Sequence, residues 1–369
     1  MHSAAKALMS KEELKEVIGR YPRQGLTYLP TPLERMDNLS RRLKNINIFI
    51  KREDQTGLAM GGNKARKLDF IVADALSQKA GSIITWGGMQ SNWCRQAAAA
   101  ARRGGLKPVL LLFRRAHLPT EYDGNLLLDS ILGADIRVVD LPPGASFMEL
   151  GMVQRLVDEV AQQELAAGRR PYIAPVGGTF AEGSMGAPLG AISYAAALIE
   201  MLDQAESGGF NIDRIVLATG SGSTQAGLIV AARLICPALK IVGISVCEDL
   251  DTMTQFVYRV AKEMIEHLGV QLQIKPEDVI VHEEFLRNGY GVLDPDSAAA
   301  LKLLGETEGI LLDPVYTCKA MAGLLELAKA EYFSPGSNVV FLHTGGTPAL
   351  FPYRKQIGEL IGGTIGLEK

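Results

Sequence analysis

Short apolar runs alternate along the chain with longer segments in which apolar residues recur every three or four positions. Ser82–Trp86 precedes an alanine-rich segment that ends at Gly104-Gly105, and Arg214–Thr219 precedes Ala226–Ile235. The short runs are typical of buried strands, and the longer segments of amphipathic helices. The alternation predicts an α/β fold with open, mostly parallel sheets and helices on both faces.

Several further elements follow from the same pattern. A strand is predicted over Ile46–Lys51 and a helix over Leu33–Leu43. A helix is also predicted to begin at Lys64, because apolar residues recur at helical spacing from Leu68 onwards. The pattern gives no helix between the apolar run that ends at Val281 and the predicted helix that begins at Lys319.

Ligands in such folds bind at the carboxyl ends of the strands, where three loops are glycine-rich: residues 87–91, 220–225 and 344–347. Gly220–Gln225 offers backbone N–H groups and hydroxyls to a phosphate monoester. A dinucleotide site is an alternative, with Glu248 past the next strand as its ribose-binding acid. The fingerprint of such sites is incomplete, however, because Gln225 stands where the third glycine is needed. A plain tight turn is the other alternative.

The segment Lys51–Lys67 runs from a strand through Gly61-Gly62 into a helix. Asn63 is a favourable N-cap residue and places Lys64 at the first helical position. The helix dipole opposes a cation there, and Arg66 and Lys67 add further positive charge. We therefore expect a lowered pKa for Lys64 and an amine suited to Schiff-base chemistry. The alternative is a basic helix start that binds an anion.

Ser91-Asn92-Trp93 begins another helix, which makes it a second candidate anion site, suited to a substrate carboxylate. The alternative is simple helix capping by Ser91 or Asn92. In the first turn of this helix, Cys94 is expected to have a lowered pKa.

Two tyrosines lie in turn-like segments, Tyr290 between glycines and Tyr316 after Pro314. In a closed site a phenol can relay protons. The alternative is that both are packed aromatic residues whose hydroxyl groups are satisfied by hydrogen bonds.

Composition narrows the class of protein. The chain has 369 residues, 38 of them basic and 41 acidic, for a net charge of −3, which argues against nucleic-acid binding. Four scattered cysteines indicate reduced thiols, and five dispersed histidines give no metal site. The absence of an apolar signal core and of a membrane-spanning run predicts a cytoplasmic protein without a membrane partner.

Five segments, in this order, resemble the D-cysteine desulfhydrase and aminocyclopropane-carboxylate deaminase family of pyridoxal-phosphate enzymes. They are Lys51–Lys67, Gly88–Asn92, Gly220–Gly227, Gly289–Gly291 and Asp313–Lys319. The likeness extends from about Tyr21 to Tyr353. It implies the tryptophan-synthase-β-like fold, with residues 1–64 and 190–369 as a large cofactor-binding domain, residues 65–189 as a small α/β domain, and the active site in the cleft between them.

The resemblance also implies a pyridoxal 5'-phosphate cofactor, a small amino-acid substrate and a homodimer. Lys64 would be the Schiff-base lysine and would move the Cα proton. Tyr290 and Tyr316 would line the substrate side, and Ser91 would lie near the substrate carboxylate, on the face opposite the lysine. The substrate-binding residues would be Ser91, Asn92 and Trp93, and the cofactor would contact Lys64, Asn92, Gly220, Ser221, Gly222, Ser223, Thr224, Thr317 and Thr344.

Thr317 stands where the deaminase branch of the family has a glutamate beside the pyridine nitrogen. A threonine supplies no negative charge, so the cofactor ring would withdraw electrons less strongly. The resemblance therefore favours α,β-elimination of a β-substituted amino acid, giving pyruvate, ammonia and a leaving group such as sulfide. Aminocyclopropane-carboxylate deaminase and L-cysteate sulfo-lyase activities are alternatives on the same scaffold.

Two features differ from the family pattern. Trp93 stands where the family usually has histidine or glutamine, and residues 177–187 form a loop longer than its usual counterpart. Because both lie near the expected pocket, the amino acid that is used stays open. Two alternatives from other classes follow: a non-catalytic protein that keeps the cofactor fold, and a nicotinamide-dependent oxidoreductase that uses residues 220–225.

Overall fold

The computed structural model describes residues 7–115, 118–141 and 150–362, and ten strands lie within these residues. The strands are β1 (Leu33–Arg35), β2 (Asn47–Arg52), β3 (Ser82–Gly88), β4 (Lys107–Arg114), β5 (Asp135–Asp140), β6 (Pro171–Ile173), β7 (Arg214–Thr219), β8 (Lys240–Ser245), β9 (Ile280–His282) and β10 (Asn338–His343).

Twelve α-helices of the described residues connect and cover the strands. They are α1 (Lys11–Gly19), α2 (Asp37–Leu43), α3 (Lys64–Ser77), α4 (Asn92–Arg103), α5 (Gly124–Ile131), α6 (Leu150–Ala166), α7 (Leu189–Ser207), α8 (Ser223–Ile235), α9 (Leu250–Leu268), α10 (Pro295–Glu308), α11 (Thr317–Lys329) and α12 (Arg354–Ile361). None of the helices in the described part of the chain combines the length and the apolar character that crossing a bilayer requires.

The strands form two separate sheets. The six-stranded sheet has the order β1-β2-β10-β7-β8-β9, and the four-stranded sheet has the order β5-β4-β3-β6. Every pairing is parallel except that of β1 with β2. Parallel strands need crossover helices, which cover both faces of a sheet and bury it. The predicted architecture of two mostly parallel sheets is thus confirmed, while the division into two domains stays a prediction.

Some observed helices and strands differ from those predicted from the sequence, and each difference has a local cause. The helix predicted over Leu33–Leu43 is wrong at its start, because residues 33–35 pair with β2 as an antiparallel edge strand. α8 begins at Ser223, three residues before the predicted start. The helices α10 and α12 were not predicted. The helical pattern of α10 is hard to recognise in the sequence, since its buried face includes alanine and serine as well as leucine.

A cluster of buried charges fixes the start of α3 against β2 and α7. Arg66 donates two hydrogen bonds to the Glu53 carboxylate, at 2.6 and 2.8 Å, and two to the Glu200 carboxylate, at 3.0 and 3.1 Å. Lys51 donates to the same Glu200 at 2.6 Å, and the Tyr194 hydroxyl donates to Glu53 at 2.8 Å. Burial opposes ionisation of Glu53, but the guanidinium of Arg66 outweighs it and lowers the pKa of Glu53 to about 2.

We expect Glu53→Gln to lower the free energy of unfolding by roughly 3–5 kcal/mol, because it leaves the buried Arg66 without its main counter-charge. Glu34 is the control, since it is half-exposed and lies 3.5 Å from Arg52. Glu34→Gln should change the free energy by at most about 1 kcal/mol. Denaturant unfolding of both variants measures the difference, and equal losses would contradict a structural role for the buried cluster.

Candidate active site

The loops at the carboxyl ends of strands from both sheets surround one cavity of about 980 Å³, including its opening to solvent. Eleven of the residues predicted from the sequence line it. They are Lys64, Ser91, Asn92, Trp93, Gly220, Ser221, Gly222, Thr224, Tyr290, Tyr316 and Thr344. Residues that lie far apart in sequence therefore meet at one place, which is the position where parallel α/β sheets bind ligands.

Lys64 is the first residue of α3 and lines the cavity. Backbone contacts fix its position, since the Asn63 N–H donates to the Thr344 carbonyl at 3.0 Å. The approach of the two loops requires glycine, because a Cβ at Gly345 would lie 2.7 Å from the Cα of Gly62. The predicted capping by Asn63 is wrong: its side chain makes no capping hydrogen bond and instead donates to Thr224 at 3.2 Å.

The pKa of Lys64 is lowered to about 8 by burial, which is partly opposed by the carboxylate of Asp313. The predicted direction is confirmed, but burial is the main cause, and not the neighbouring cations. Arg66 is neutralised by Glu53 and Glu200. A buried amine with this pKa exists in both its neutral and its charged form near neutral pH, which suits a nucleophile.

The loop between β7 and α8 provides an anion site. Gly222 has φ +80°, a left-handed conformation that favours glycine, and no side chain caps the helix that follows. The first-turn N–H groups of α8 therefore have no capping partner, and Gly220, Ser221 and Thr224 line the cavity beside them. A helix N-terminus of this kind binds phosphate.

Ser223 and Lys67 lie directly behind this loop. Ser223 is fully buried and does not line the cavity; its hydroxyl donates to the Gly177 carbonyl at 3.2 Å and accepts from the amine of Lys67 at 2.7 Å. Within the described residues, no carboxylate forms an ion pair with the fully buried Lys67. Burial and the nearby Lys64 lower its pKa. In the sequence, Lys67 stood out only as a neighbour that crowds Lys64.

The segment Ser91–Trp93 forms another wall. Ser91 lines the cavity and also caps α4, since its hydroxyl accepts from the Cys94 N–H at 3.2 Å. The Trp93 indole donates to Thr85 at 2.7 Å and is almost fully buried, so its ring is fixed. The predicted pKa of Cys94 is wrong, because burial raises the pKa of this thiol instead of lowering it.

Asn92 and Thr344 both line the cavity. The side-chain oxygen of Asn92 accepts from Asn125 at 3.1 Å, which orients the amide.

Tyr290 and Tyr316 act as a pair, because their hydroxyl oxygens lie 2.7 Å apart. Burial raises the pKa of Tyr290 to about 12 and also raises the pKa of Tyr316. Both phenols are therefore protonated at neutral pH. One phenol can donate a proton into the cavity, and the other phenol can then return a proton to the first. The pair can therefore relay protons, as expected for phenols in a closed site.

Thr317 is not among the residues that line the cavity. It is fully buried, and its hydroxyl donates to the Asp313 carboxylate at 2.7 Å and accepts from the Asp313 N–H at 2.7 Å. The N–H groups of Val315 and Tyr316 also donate to Asp313. Thr317 thus fixes the turn that presents Tyr316, and its contact with a cofactor stays a prediction.

Several residues of the cavity wall were not predicted from the sequence. Arg115 follows β4, and Cys247 and Glu248 follow β8. Their position directly after a parallel strand was the available signal. Of the long loop 177–187, only Gly177 reaches the wall, whereas Phe180 and Met185 pack into the core.

Comparison with known proteins agrees with this geometry. Residues 25–345 match the family described as pyridoxal-phosphate dependent enzyme. A D-cysteine desulfhydrase of Klebsiella pneumoniae subsp. pneumoniae is 40% identical over 343 residues, which cover 92% of this chain and 98% of that protein.

Two solved structures have the same fold. An ACC deaminase homologue is 34% identical, with a TM-score of 0.83, and the match covers 94% of this chain and 98% of that one. A threonine deaminase isoform 2 of Solanum lycopersicum, 17% identical with a TM-score of 0.65, matches over 98% of this chain and 93% of that one and shows the fold alone. The predicted fold, cofactor and enzyme class are confirmed, and the chain belongs to the pyridoxal-phosphate dependent enzyme family.

Proposed function

We propose that this chain is a lyase that removes the Cα proton and the β-substituent of a small amino acid, with D-cysteine as the first substrate to test. The products would be pyruvate, ammonia and the leaving group. One observation carries the proposal: a buried amine of lowered pKa, a helix N-terminus without a cap and a protonated tyrosine pair line the same cavity. The 40% identity to a D-cysteine desulfhydrase supports the same reaction.

The residues of the cavity fit pyridoxal phosphate. The uncapped N-terminus of α8 and the hydroxyls of Ser221 and Thr224 would hold its phosphate. With the anionic phosphate bound, Lys67 would be protonated and, acting through Ser223, would place a positive charge behind the loop. Asn92 would bond the phenolic oxygen of the ring. When bound, pyridoxal phosphate withdraws electrons from the Cα of an attached amino acid and makes its proton acidic.

The protein residues would then control the proton transfers. Lys64 would hold the cofactor and afterwards take the Cα proton, since its lowered pKa leaves a fraction of the amine neutral near neutral pH. The α-carboxylate would lie at Ser91 and the N-terminus of α4. Tyr316, supplied by Tyr290, would donate a proton on the substrate side. Trp93 would limit the size of the substrate, because its hydrogen bond to Thr85 keeps the indole in place.

We also propose that the protein acts in the cytoplasm as a homodimer. All four cysteines are free thiols, which supports a reducing compartment. The family resemblance supports the dimer, and light scattering after size-exclusion chromatography measures it directly.

The pH dependence of cofactor uptake should report the pKa of Lys64. Only the neutral amine reacts with the aldehyde, so the uptake rate of the apoprotein should rise with pH and level off above a pH of about 8. An ordinary lysine, with a pKa of about 10.4, continues to gain neutral amine above pH 10. Free Nα-acetyl-lysine, measured in parallel, is the control. A protein rate that keeps rising with the control would contradict the lowered pKa.

We expect Lys67→Met to weaken pyridoxal-phosphate affinity by roughly 10- to 100-fold, because the charge that supports the phosphate loop is lost. Lys79, exposed just beyond the end of α3, provides the matched control, and Lys79→Met should leave the affinity unchanged. Equilibrium dialysis of the cofactor gives both values. Unchanged affinity in Lys67→Met would remove Lys67 from the phosphate site.

Two variants test the catalytic assignment. Lys64→Ala should lower pyruvate release from D-cysteine or β-chloroalanine by at least about 10³-fold, because it removes the base and the attachment point. Tyr316→Phe should bind the cofactor normally and lose roughly 10²- to 10⁴-fold in kcat. The exposed Tyr122 is the control, and Tyr122→Phe should retain full activity. Absence of pyruvate from every substrate with the yellow wild-type protein would overturn the proposed reaction.

A further inference from the structure

The segment just before Lys64 has a backbone conformation that its own sequence does not favour. Four consecutive residues have positive φ: +44° at Ala59, +67° at Met60, +70° at Gly61 and +125° at Gly62. Glycine adopts this region without strain, whereas alanine and methionine rarely do. Two such non-glycine residues in succession persist only where the surrounding structure holds them. Contacts with the rest of the protein therefore fix this segment.

Arg95 of α4 provides two of these contacts. Its guanidinium donates to the carbonyl of Ala59 and to the carbonyl of Gly61, the latter at 3.1 Å. The side chain is fully buried and is not among the residues that line the cavity. The buried carboxyl of Asp129 acts on Arg95 through its charge, but its oxygens accept no hydrogen bond within the described residues. The hydrogen bonds of Arg95 thus serve the backbone of the strained segment.

Gln96, the next residue of α4, holds the start of α3. Its side-chain oxygen accepts from the Ala65 N–H at 2.7 Å, which gives α3 the side-chain hydrogen bond that Asn63 does not make. A Cβ at Gly62 would lie 2.3 Å from the side-chain nitrogen of Gln96, so the two residues pack directly against each other. The helix α4 therefore contacts the chain immediately before and immediately after Lys64.

The same helix begins with the candidate site for the substrate carboxylate. Ser91 lines the cavity one turn before Arg95, and the Arg95 N–H donates to the Ser91 carbonyl at 3.2 Å. Residues four positions apart lie on one face of a helix. Under the proposed function, a single turn of α4 would therefore set the distance from the substrate carboxylate to the amine of Lys64.

We propose that Arg95 and Gln96 are positioning residues, which hold the Lys64 amine at the distance from the bound substrate that proton transfer requires. This inference rests on the proposed lyase function and adds to it two residues that do not touch the reacting atoms. Without Arg95 the left-handed segment relaxes, and the amine moves towards solvent. A displacement of about 1 Å is enough to lower a rate by roughly 100-fold. The carboxylate site at the start of α4 keeps its geometry.

The first test is the kinetics of pyruvate release from β-chloroalanine or D-cysteine by the holoenzyme. Arg95→Met should lower kcat by roughly 10- to 100-fold and change KM by less than about 3-fold, because the chemical step loses its geometry and the carboxylate site does not. Arg95→Lys should restore part of kcat, since it keeps the charge and one hydrogen bond. Gln96→Met, which has nearly the same size but lacks the acceptor oxygen, should also lower kcat.

Arg102→Met is the matched control. Arg102 belongs to the last turn of α4 and likewise donates to backbone carbonyls, those of Leu132, at 2.8 Å, and Gly133. It is exposed and does not line the cavity. Its kcat and KM should therefore equal those of the wild type.

The rate of pyridoxal-phosphate uptake by the apoprotein tests the position of the amine without any substrate. Burial lowers the pKa of Lys64 to about 8. If the amine moves towards solvent in Arg95→Met, the pH at which uptake levels off should rise from about 8 towards about 10. In Arg102→Met it should stay at about 8.

A kcat within about 2-fold of the wild type, or an uptake profile that still levels off at about pH 8, would overturn the proposal. A lower melting temperature alone gives it no support, because a merely structural role also lowers stability. If circular dichroism shows that Arg95→Met does not fold, Gln96→Met decides by the same two measurements. Failure of the lyase proposal is recognisable separately: the wild type then releases no pyruvate from any compound, and the uptake profile alone decides.

Discussion

The paired hydrogen bonds between Arg66 and Glu53 are the interaction on which the site depends. Lys64 and Arg66 belong to the same turn of α3, and they face different surroundings: one lines the cavity and the other enters a cluster of buried charges. Because Glu53 follows β2 and Glu200 belongs to α7, the cluster fixes the rotation of α3 about its axis. That rotation decides where the Lys64 amine lies. A buried ion pair adds little net stability, so its main effect here is to define this geometry.

The reactivity of the site follows from the small number of negative charges near the two buried lysine amines. Lys64 is near Asp313, but the Asp313 carboxylate already accepts hydrogen bonds from the Thr317 hydroxyl and from three backbone N–H groups. Lys67 has a serine hydroxyl as its partner. Desolvation therefore dominates both amines and lowers their pKa values. In the proposed function an anionic cofactor would bring the missing charge to Lys67, and this would couple the formation of the phosphate site to occupancy.

Much of this arrangement could be predicted from the sequence, because strand patterns and glycine loops are local features. Arg214–Thr219 was predicted with its observed bounds, and nine of the eleven predicted wall residues belong to the five motifs. The errors have a common origin in tertiary contacts. Leu33–Arg35 forms a strand because it pairs with the edge of β2. Asn63 does not cap α3, because its side chain donates a hydrogen bond to Thr224 instead. Whether the side chains of Thr317 and Arg115 line the cavity depends on the direction in which they point, and the sequence pattern does not contain this information.

The two sheets contribute different functions to the cavity. The six-stranded sheet and its loops provide Lys64, the α8 anion site and the tyrosine pair, which are the groups that the proposed reaction at Cα uses. The four-stranded sheet and its loops provide Ser91, Trp93 and Arg115, which line the same cavity. Trp93 is fixed through Thr85 to the Ala174 carbonyl, so its wall does not adapt to different substrates. Under the proposed lyase function, substitutions at the ends of β3 and β4 would therefore change the wall that faces the substrate, while Lys64 and the α8 anion site would stay in place.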